Sequence, residues 1–481
     1  MKVFLGNSPW SKPGYYGVRA GSRWPHFERC SSAYIPFPFF LAYATALLEK
    51  NGAEVRAVDG IAERMPLDKF YNHMTSFGPD LVVFEVSTPS IDHDLAIAHE
   101  TKSLFGGNVP VVFCGPHNDM YQAEFLEQHP EVDFVLQGEY EFTLLDLVQT
   151  LSAGGPLESV HGLVCRDTRG TVQVNERRPL ERDLEKFPWP ARHHFPMDKY
   201  CDLPGGIPGP SLQMWASRGC PFHCVFCAWP QIMYGGSQYR VRDPQDVVDE
   251  IERCIKEYGF RSVYFDDDTF NIGKPRMLKL CEEMKRRHID VPWAIMARAD
   301  CMDREILIAM HDAGLVALKY GVESGVQEVL QETGKSLNLQ KVREVVEITR
   351  ELGIKFHLTF TFGLPGETWE TINRTMQLAL ELDPDSLQFS IVTPFPGSRY
   401  FEMLDKKGYV LSKNWEEYDG YNRAVIRTEN LSSHDLERAL KMANRRWKTH
   451  VFQKNLKESP IDAISYVIRN PVKCARTYLG M

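Results

Sequence analysis

The chain has 481 residues, of which 43% are hydrophobic and 25% are charged, a composition typical of a globular protein with two or three domains. Its formal net charge of -9 argues against nucleic acid as the main partner, because phosphate binding requires a basic surface. No signal peptide, disulfide framework or bilayer-spanning run is evident, so we expect a cytoplasmic protein in a reducing compartment.

The first 155 residues alternate short β-branched or aromatic runs with amphipathic stretches. This alternation with short loops predicts a doubly wound α/β domain, in which helices cover both faces of a five-stranded parallel sheet. We predict strands at Val3–Leu5, Ala53–Val58, Asp80–Val86, Val109–Phe113 and Val132–Leu136, and helices at Phe39–Asn51, Leu67–Ser76, Ile91–Leu104, Met120–Gln128 and Glu141–Leu151.

Three loops at the carboxyl ends of these strands are candidates for ligand binding, because doubly wound sheets bind their ligands there. The nucleotide-binding Gly-x-Gly-x-x-Gly pattern is missing after the first strand. Small residues and hydroxyls in the three loops would instead let a large flat cofactor approach the backbone. A flavodoxin-like domain without a cofactor is the alternative. The candidate cofactor-binding residues are Ser87, Thr88, Gly115, Pro116, Gly138 and Glu139.

Two further segments of the N-terminal half are irregular. The loop from Asn7 to Ser32 is longer than ordinary connections, as functional loops often are. Residues 156–210 are rich in proline and indicate an ordered linker, with a small hairpin at Leu163–Val174. The side chains of the first loop that could close over a ligand, or simply face solvent, are Arg19, Arg23, Trp24 and His26.

Cys220, Cys224 and Cys227 have Cys-x-x-x-Cys-x-x-Cys spacing just after a predicted strand. Thiolates are soft ligands suited to iron–sulfur clusters, and three of them leave one metal corner open for a substrate or cosubstrate. Zinc is the alternative. A structural zinc site normally closes with four ligands, however, and His223, between two of the cysteines, is badly placed as the fourth.

This motif, with Phe226 before the third cysteine, resembles the signature of the radical S-adenosylmethionine superfamily. The resemblance implies a 4Fe–4S cluster whose fourth iron is chelated by S-adenosylmethionine, which is cleaved to a 5'-deoxyadenosyl radical. Residues 211–400 show the alternation of a partial parallel barrel. Its strands are predicted at Leu212–Ala216, Ser262–Phe265, Pro292–Ala297, Ala317–Val322, Lys355–Phe362 and Ser386–Val392, with helices beginning near Asp243, Lys274, Asp303, Gln340 and Thr368.

The carboxyl ends of the barrel strands supply candidate cosubstrate ligands. By the same resemblance, Asp267 stands where the superfamily often has a Gly-Gly-Glu-like motif for the methionine amino group. Arg298 could pair with the methionine carboxylate, and Glu323 could accept hydrogen bonds from the ribose hydroxyls. Gly366 would permit close approach of the adenosyl group. Any one of these carboxylates alone is more often an exposed helix cap.

The doubly wound domain followed by a cysteine-cluster barrel resembles the cobalamin-dependent radical S-adenosylmethionine enzymes. The stretches that carry the resemblance are STPS, CGPH and GEYEFTLLDL. Many such cobalamin domains place Asp-x-His-x-x-Gly after the first strand, and the histidine ligates cobalt. This chain has no histidine in that loop. We therefore expect cobalamin without a protein imidazole on cobalt, and Trp10 is a candidate shielding side chain.

The resemblance implies methyl transfer to an unactivated carbon, with methylcobalamin as the methyl donor. The alternatives are a non-methylating oxidoreductase or cyclase, like the anaerobic magnesium-protoporphyrin cyclase, and a non-catalytic iron–sulfur or cobalamin sensor. We expect a small-molecule or lipid-like substrate and an electron donor such as flavodoxin or ferredoxin.

The last 80 residues contain a basic helical pattern from His434 to Asn455. Such a helix contacts an anionic membrane surface or guides an amphiphilic substrate, or it presents a solvated face. Tyr466 to Met481 adds aromatic and basic residues without deciding between them. The predicted organisation is a cobalamin-binding domain at 1–155, a linker at 156–210, the barrel at 211–400 and a helical region at 401–481.

Overall fold

The computed structural model describes residues 1–418 and 423–460. The strands are β1 (Lys2–Asn7), β2 (Ser11–Lys12), β3 (Tyr15–Val18), β4 (His26–Arg29), β5 (Glu54–Asp59), β6 (Leu81–Glu85), β7 (Val111–Cys114), β8 (Phe134–Leu136), β9 (Leu163–Arg166), β10 (Val172–Val174), β11 (Ser211–Met214), β12 (Ser217–Gly219), β13 (Tyr239–Val241), β14 (Ser262–Phe265), β15 (Trp293–Ala297), β16 (Leu315–Glu323), β17 (Lys355–Phe362) and β18 (Ser386–Ile391). The helices are α1 (Phe39–Lys50), α2 (Leu67–Phe77), α3 (Ile91–Leu104), α4 (Ala123–Gln128), α5 (Glu141–Ala153), α6 (Ala228–Tyr234), α7 (Pro244–Tyr258), α8 (Lys274–Arg286), α9 (Arg304–Asp312), α10 (Gln327–Glu332), α11 (Leu339–Glu351), α12 (Trp369–Leu382), α13 (Arg399–Lys406) and α14 (Ser433–Glu458).

The first sheet has the order β10-β9-β8-β7-β6-β1-β5. Its five parallel strands are those predicted, and all but the edge strand β5 are almost fully buried because helices cover both faces. The hairpin predicted within the linker is also present. It pairs antiparallel with the edge of β8, so the sheet has two strands more than the local sequence pattern indicated.

The long loop after β1 is ordered as a small antiparallel sheet of β2, β3 and β4. Arg19 leaves this sheet and is buried, where it forms an ion pair with Asp94 at the start of α3. It also donates to the carbonyl oxygen of Ser8 at 2.7 Å. Arg19 therefore fixes the chain after β1 and is not exposed to close over a ligand.

The second sheet has the order β11-β14-β15-β16-β17-β18, and all its pairs are parallel. All six predicted strands are present. Neighbours in sequence are neighbours in space, and the described edge strands β11 and β18 do not pair with each other, so the sheet is an open barrel. Helices α7, α8, α9, α11 and α12 follow successive strands.

The inner face of this barrel is closed at its amino-terminal end by the linker. Tyr264, Ala294 and Ala317 form an apolar cluster with Ile207 and Leu203, separate from the main core. The alternate residues of the same strands, such as Phe265 and Ile295, belong to the main core instead. The linker therefore fills one end of the barrel and leaves the carboxyl ends of its strands accessible.

The predicted basic C-terminal helix is present as α14 and packs against α12, β17 and β18. Two of its side chains contact the barrel: His450 and Lys454 each lie 2.8 Å from the Asp383 carboxylate. Membrane contact through this helix stays a prediction. No helix of the described chain is long and apolar enough to cross a membrane. Tyr466 to Met481 lies outside the described residues.

Candidate active site between the two sheets

The three motif cysteines lie on one loop between two fixed elements. Strand β12 pairs with β13 directly before Cys220, and Cys227 is the N-cap of α6. The loop is tied to the end of β14 because Gly219 N donates to the Asp268 carboxylate at 2.9 Å. It is also tied to the loop after α10, since Val225 N donates to the Thr333 carbonyl at 2.9 Å.

Burial raises the pKa of the Cys227 thiol, and the neighbouring Cys224 and Cys220 raise it further, so the three motif thiols lie close to one another. A structural zinc ion would need a fourth ligand beside them. His223 is engaged elsewhere, because its Nδ1 hydrogen-bonds the hydroxyl of Ser237.

Arg298 and Glu323, the predicted cosubstrate ligands, meet through a lysine that the sequence pattern did not indicate. The Arg298 guanidinium lies 3.5 Å from the centroid of the Phe222 ring in the cysteine loop, and it donates to the Lys335 carbonyl at 2.9 Å. The Lys335 ammonium lies 3.0 Å from Glu323, which also accepts a 2.9 Å hydrogen bond from Thr361. The contacts of these residues with a cosubstrate stay predictions.

Asp267 lies beneath the cysteine loop. Its carboxylate accepts hydrogen bonds from the Ser217 hydroxyl and from Ala216 N, so it holds the start of β12 against β14. Burial raises the pKa of this carboxyl to about 6. Direct contact with the methionine amino group stays a prediction for Asp267, and its neighbour Asp268 lies nearer the cysteine loop.

Arg23 connects the loop of the first sheet to the end of β14. Its guanidinium lies 2.8 Å from the Asp266 carboxylate and 2.7 Å from that of Asp268. The nearby His26 hydrogen-bonds the Trp24 carbonyl oxygen at 2.7 Å. Of the four candidate residues in this loop, Arg23 is the one that forms these ion pairs with the barrel.

The candidate loops of the first sheet face the helix that follows the cysteines. Gly115 has a φ of 116°, and a Cβ there would lie 2.3 Å from the Val86 carbonyl oxygen, so only glycine fits. Gly138 is similarly confined, with a φ of 65° and the Met233 carbonyl 2.8 Å from a Cβ. A narrow cleft between the sheets, with a cavity volume of about 10 Å³, is lined by Arg23, Pro25, Thr88, Pro116, Ala228, Trp229, Ile232 and Phe395.

Tyr121 joins two of the candidate loops and was not indicated by the sequence. Its hydroxyl donates to the Gly115 carbonyl at 2.7 Å and accepts from Gly138 N at 2.9 Å. Ser87 is buried, and its hydroxyl lies 2.8 Å from that of Ser90, which fixes the turn after β6. No local sequence pattern predicts the two contacts of Tyr121, because both of its partners are backbone groups.

Glu139 belongs to an ion-pair cluster between the sheets, which we call the bridging cluster (Arg218, Arg240, Glu139 and Glu141). Arg218 lies 2.7 Å from both carboxylates, and Arg240 lies 2.7 Å from Glu139. Burial alone would raise the pKa of Glu139, but Arg218 and Arg240 together hold it below its ordinary value. Burial raises the pKa of Glu141 to about 7, and the neighbouring Glu139 carboxylate adds to this effect, although Arg218 opposes it. The cofactor contact predicted for Glu139 stays a prediction.

The segment from Ser8 to Gly14, directly after β1, contains no histidine. His93 hydrogen-bonds the Pro9 carbonyl at 2.7 Å, and His117 hydrogen-bonds the Thr88 hydroxyl at 3.2 Å. Burial lowers the pKa of His117 to about 3. Trp10 is buried against Phe27, with ring centroids 4.3 Å apart. The absence of a protein imidazole on the lower face of bound cobalamin stays a prediction.

The loop after β17 is held by a buried carboxyl group. Glu367 accepts hydrogen bonds from Gly363 N at 2.6 Å and Leu364 N at 3.0 Å, while its second oxygen has no partner among the described residues. Burial raises its pKa to about 8. Gly366 lies against the Glu332 carboxylate, which would be 2.3 Å from a Cβ at this position.

The comparisons with known proteins match both halves of this site. Residues 30–148 match the family model of the B12 binding domain, and residues 216–379 match that of the radical SAM superfamily. An uncharacterized methyltransferase of Pyrococcus horikoshii is 30% identical over 84% of this chain and 86% of its own length. This chain belongs to the cobalamin-binding radical S-adenosylmethionine enzymes. The predicted family, fold class and cofactors, a 4Fe–4S cluster, S-adenosylmethionine and cobalamin, are thereby confirmed.

Two further matches are a relative named as a cyclase and a solved structure whose low sequence identity shows the fold alone. The anaerobic magnesium-protoporphyrin IX monomethyl ester cyclase of Rubrivivax gelatinosus is 27% identical over 85% of this chain and 71% of its own length. The solved radical S-adenosylmethionine methyltransferase TsrM of Kitasatospora setae, with cobalamin and a 4Fe–4S cluster bound, superposes with a TM-score of 0.65 at 21% identity. That match covers 84% of this chain and 75% of TsrM.

The residues of this radical S-adenosylmethionine enzyme fit the cofactors of its family. The three motif thiols lie together on one loop, as the ligands of one cluster must, and the Arg298 guanidinium stacks on Phe222 of that loop. Gly115 and Gly138 are both buried, and a side chain at either position would collide with neighbouring backbone. Thr88 and Pro116 of the same edge line the cleft beside α6, so a cofactor on this edge of the first sheet would face α6.

We predict that replacing Cys220, Cys224 and Cys227 together by alanine removes the cluster from this enzyme. Anaerobically reconstituted wild-type protein should hold about four irons and show thiolate-to-iron absorbance, and the triple variant should show neither. Cys254→Ala, a buried cysteine of α7, is the matched control and should keep both. Full iron content in the triple variant would contradict the assignment.

We predict that Glu367 makes the stability of this enzyme depend on pH. Its folded pKa of about 8 exceeds the ordinary 4.5, so its stabilising contribution is complete below pH 4.5 and is lost as the pH rises through 8. Glu367→Gln carries no titrating group, so its urea midpoint should rise relative to wild type between those two pH values. Glu344→Gln, on the exposed face of α11, is the control. A difference that stays constant with pH would refute the prediction.

Proposed function

We propose that the chain is a methyltransferase that transfers a methyl group to an unactivated carbon of its substrate. The cleft between the sheets is the observation that carries this proposal. Thr88 and Pro116, from the cofactor edge of the first sheet, line the same cleft as Ala228 and Trp229, which directly follow the last motif cysteine. A group held on the first sheet would thus be adjacent to one held by the cysteine loop.

The chain's own residues position and enclose the reactants. When bound, the cluster and the two cofactors supply electron transfer to S-adenosylmethionine, removal of a substrate hydrogen atom and a transferable methyl group. Arg218 fixes the cysteine loop against the first sheet, and Arg23 fixes the N-terminal loop against the end of β14. Trp229, Ile232 and Phe395 give the cleft an apolar wall that excludes water.

A non-methylating oxidoreductase or cyclase is the second candidate function. The observation that favours it is the cyclase relative, which matches 85% of this chain and therefore both halves of the site. The relatives named as methyltransferases and as cyclases share this pair of domains, so the architecture alone does not select the reaction. Membership of an enzyme family disfavours the non-catalytic sensor. A flavodoxin or ferredoxin as electron donor stays a prediction.

The experiment follows the methyl group. Reconstituted, dithionite-reduced protein is incubated anaerobically with cobalamin, a metabolite extract of the source cells, and S-adenosylmethionine carrying a trideuterated methyl group. We predict 5'-deoxyadenosine, S-adenosylhomocysteine and a product in which a trideuteromethyl group replaces one substrate hydrogen. The protein without its three motif cysteines is the control. A product that has lost hydrogen without gaining deuterium would overturn the methyl proposal in favour of the cyclase.

A further inference from the structure

The inner face of the barrel presents its side chains in layers, because parallel strands in register bring alternate residues to the same height. Above the apolar cluster closed by the linker, Lys319 of β16 is in register with His357 of β17, which is in register with Ser386 of β18. In the next layer, Gly321 is in register with Thr359, and Thr359 with Gln388. Polar residues thus replace the apolar ones as the barrel opens.

The lower of these two layers is polar but its charges are balanced. Lys319 lies 3.1 Å from both carboxylate oxygens of Asp202 in the linker. The His357 ring hydrogen-bonds the Ser386 hydroxyl at 2.8 Å, and burial together with Lys319 lowers the pKa of His357 to about 4. His357 is therefore neutral at neutral pH. This layer offers hydrogen bonds without an unpaired positive charge.

The upper layer has hydrogen-bonding side chains without protein partners. Thr359 and Gln388 are partly exposed on the inner face, and neither side chain has a hydrogen-bond partner among the described residues. Gly321 beside them lies against Glu323, whose carboxylate would be 2.6 Å from a Cβ at this position. The layer therefore presents free donors and acceptors to the interior of the barrel.

The cations at the mouth of the barrel are each paired with a carboxylate. Arg298 lies 2.8 Å from Asp300, Lys335 lies 3.0 Å from Glu323, and Arg23 lies between two aspartates. These three cations are therefore neutralised within the described part of the chain and offer little attraction to a phosphate or a polyanion. A lipid hydrocarbon chain would also be costly here, because it would bury Thr359 and Gln388 without hydrogen bonds.

We propose that the substrate is a small, water-soluble molecule without net negative charge, and that Thr359 and Gln388 select it by hydrogen bonding. This inference rests on the proposed function, and it places the substrate inside the barrel, whose strand ends contact the cysteine loop through Arg298 and Phe222. It narrows the sequence-based expectation, which included lipid-like substrates. Thr359 and Gln388 lie one layer below the carboxyl edge of the barrel. At that edge the Thr361 hydroxyl hydrogen-bonds both Glu323 and Ser390.

The test fractionates a metabolite extract of the source cells. The extract is partitioned between chloroform and water, and the aqueous part is passed over an anion-exchange resin. Each fraction is added to the reduced holoenzyme, and the rate of 5'-deoxyadenosine formation is measured. We expect the unretained aqueous fraction to raise the rate. Stimulation by the chloroform fraction or the retained anionic fraction instead, or stimulation by none of them, overturns the proposal.

Two variants test the selecting residues. Thr359→Val and Gln388→Leu keep shape but remove the free hydrogen-bonding groups, so each should require roughly tenfold more of the active fraction for half-maximal rate. Iron and cobalamin contents should equal those of wild type, which separates this effect from misfolding. Gln340→Leu, on the exposed start of α11, is the matched control and should behave as wild type. Unchanged half-saturation in both variants overturns the role of these residues.

The result of this fractionation test can be distinguished from the result of the methyl-transfer experiment. Stimulation by the unretained aqueous fraction with no deuterium in the product supports the substrate class and refutes methyl transfer. Deuterium in a product derived from the chloroform fraction supports methyl transfer and refutes the substrate class.

Discussion

The structure depends on a guanidinium buried between two carboxylates. Arg218, two residues before Cys220, lies against Glu139 and Glu141 from the third candidate loop of the first sheet. The ring centroids of Phe187 and Tyr43 lie 4.1 and 4.5 Å from the guanidinium carbon of Arg218. Aromatic rings therefore pack against the guanidinium while the carboxylates bind its N–H groups. Removing one partner from such a buried pair leaves an uncompensated charge, which commonly costs about 3–5 kcal/mol. The cysteine loop and the cofactor edge are therefore fixed to each other.

Other contacts complete the same arrangement from different sides. Glu139 N donates to the Met233 carbonyl of α6 at 3.0 Å, so backbone as well as side chains join the third loop to the helix after the cysteines. Arg23 reaches the aspartates after β14 from the opposite side of the cleft. Tyr121 keeps two loops of the first sheet in register with each other. Together these contacts set the width of the cleft in which the two halves of the chemistry meet.

The elements that local pattern determines were predictable from the sequence. β14 and β17 have the predicted bounds, because buried strands between amphipathic helices have a strong local signal. The cysteines were identified by spacing alone. The addition of β9 and β10 to the first sheet was not predictable, since a hairpin does not encode which edge it will join.

The same limit applies to the site. Glu139 was predicted as a cofactor ligand because it stands in a strand-end loop, but its partners Arg218 and Arg240 are 79 and 101 residues away. Lys335 and Tyr121 were missed because their partners are backbone groups or residues on other elements. A loop sequence shows which groups are available, whereas tertiary pairing decides which remain free for a ligand.

The distance between cobalt and cluster tests the central claim most directly. Pulsed electron paramagnetic resonance can measure the coupling between cob(II)alamin and the reduced cluster in the reconstituted protein. We expect one narrow, short distance in wild type and a longer or broader distribution in Arg218→Lys and Glu139→Gln, with Arg253→Met, an exposed arginine of α7, unchanged. Wild-type coupling in both bridging-cluster variants would contradict the account.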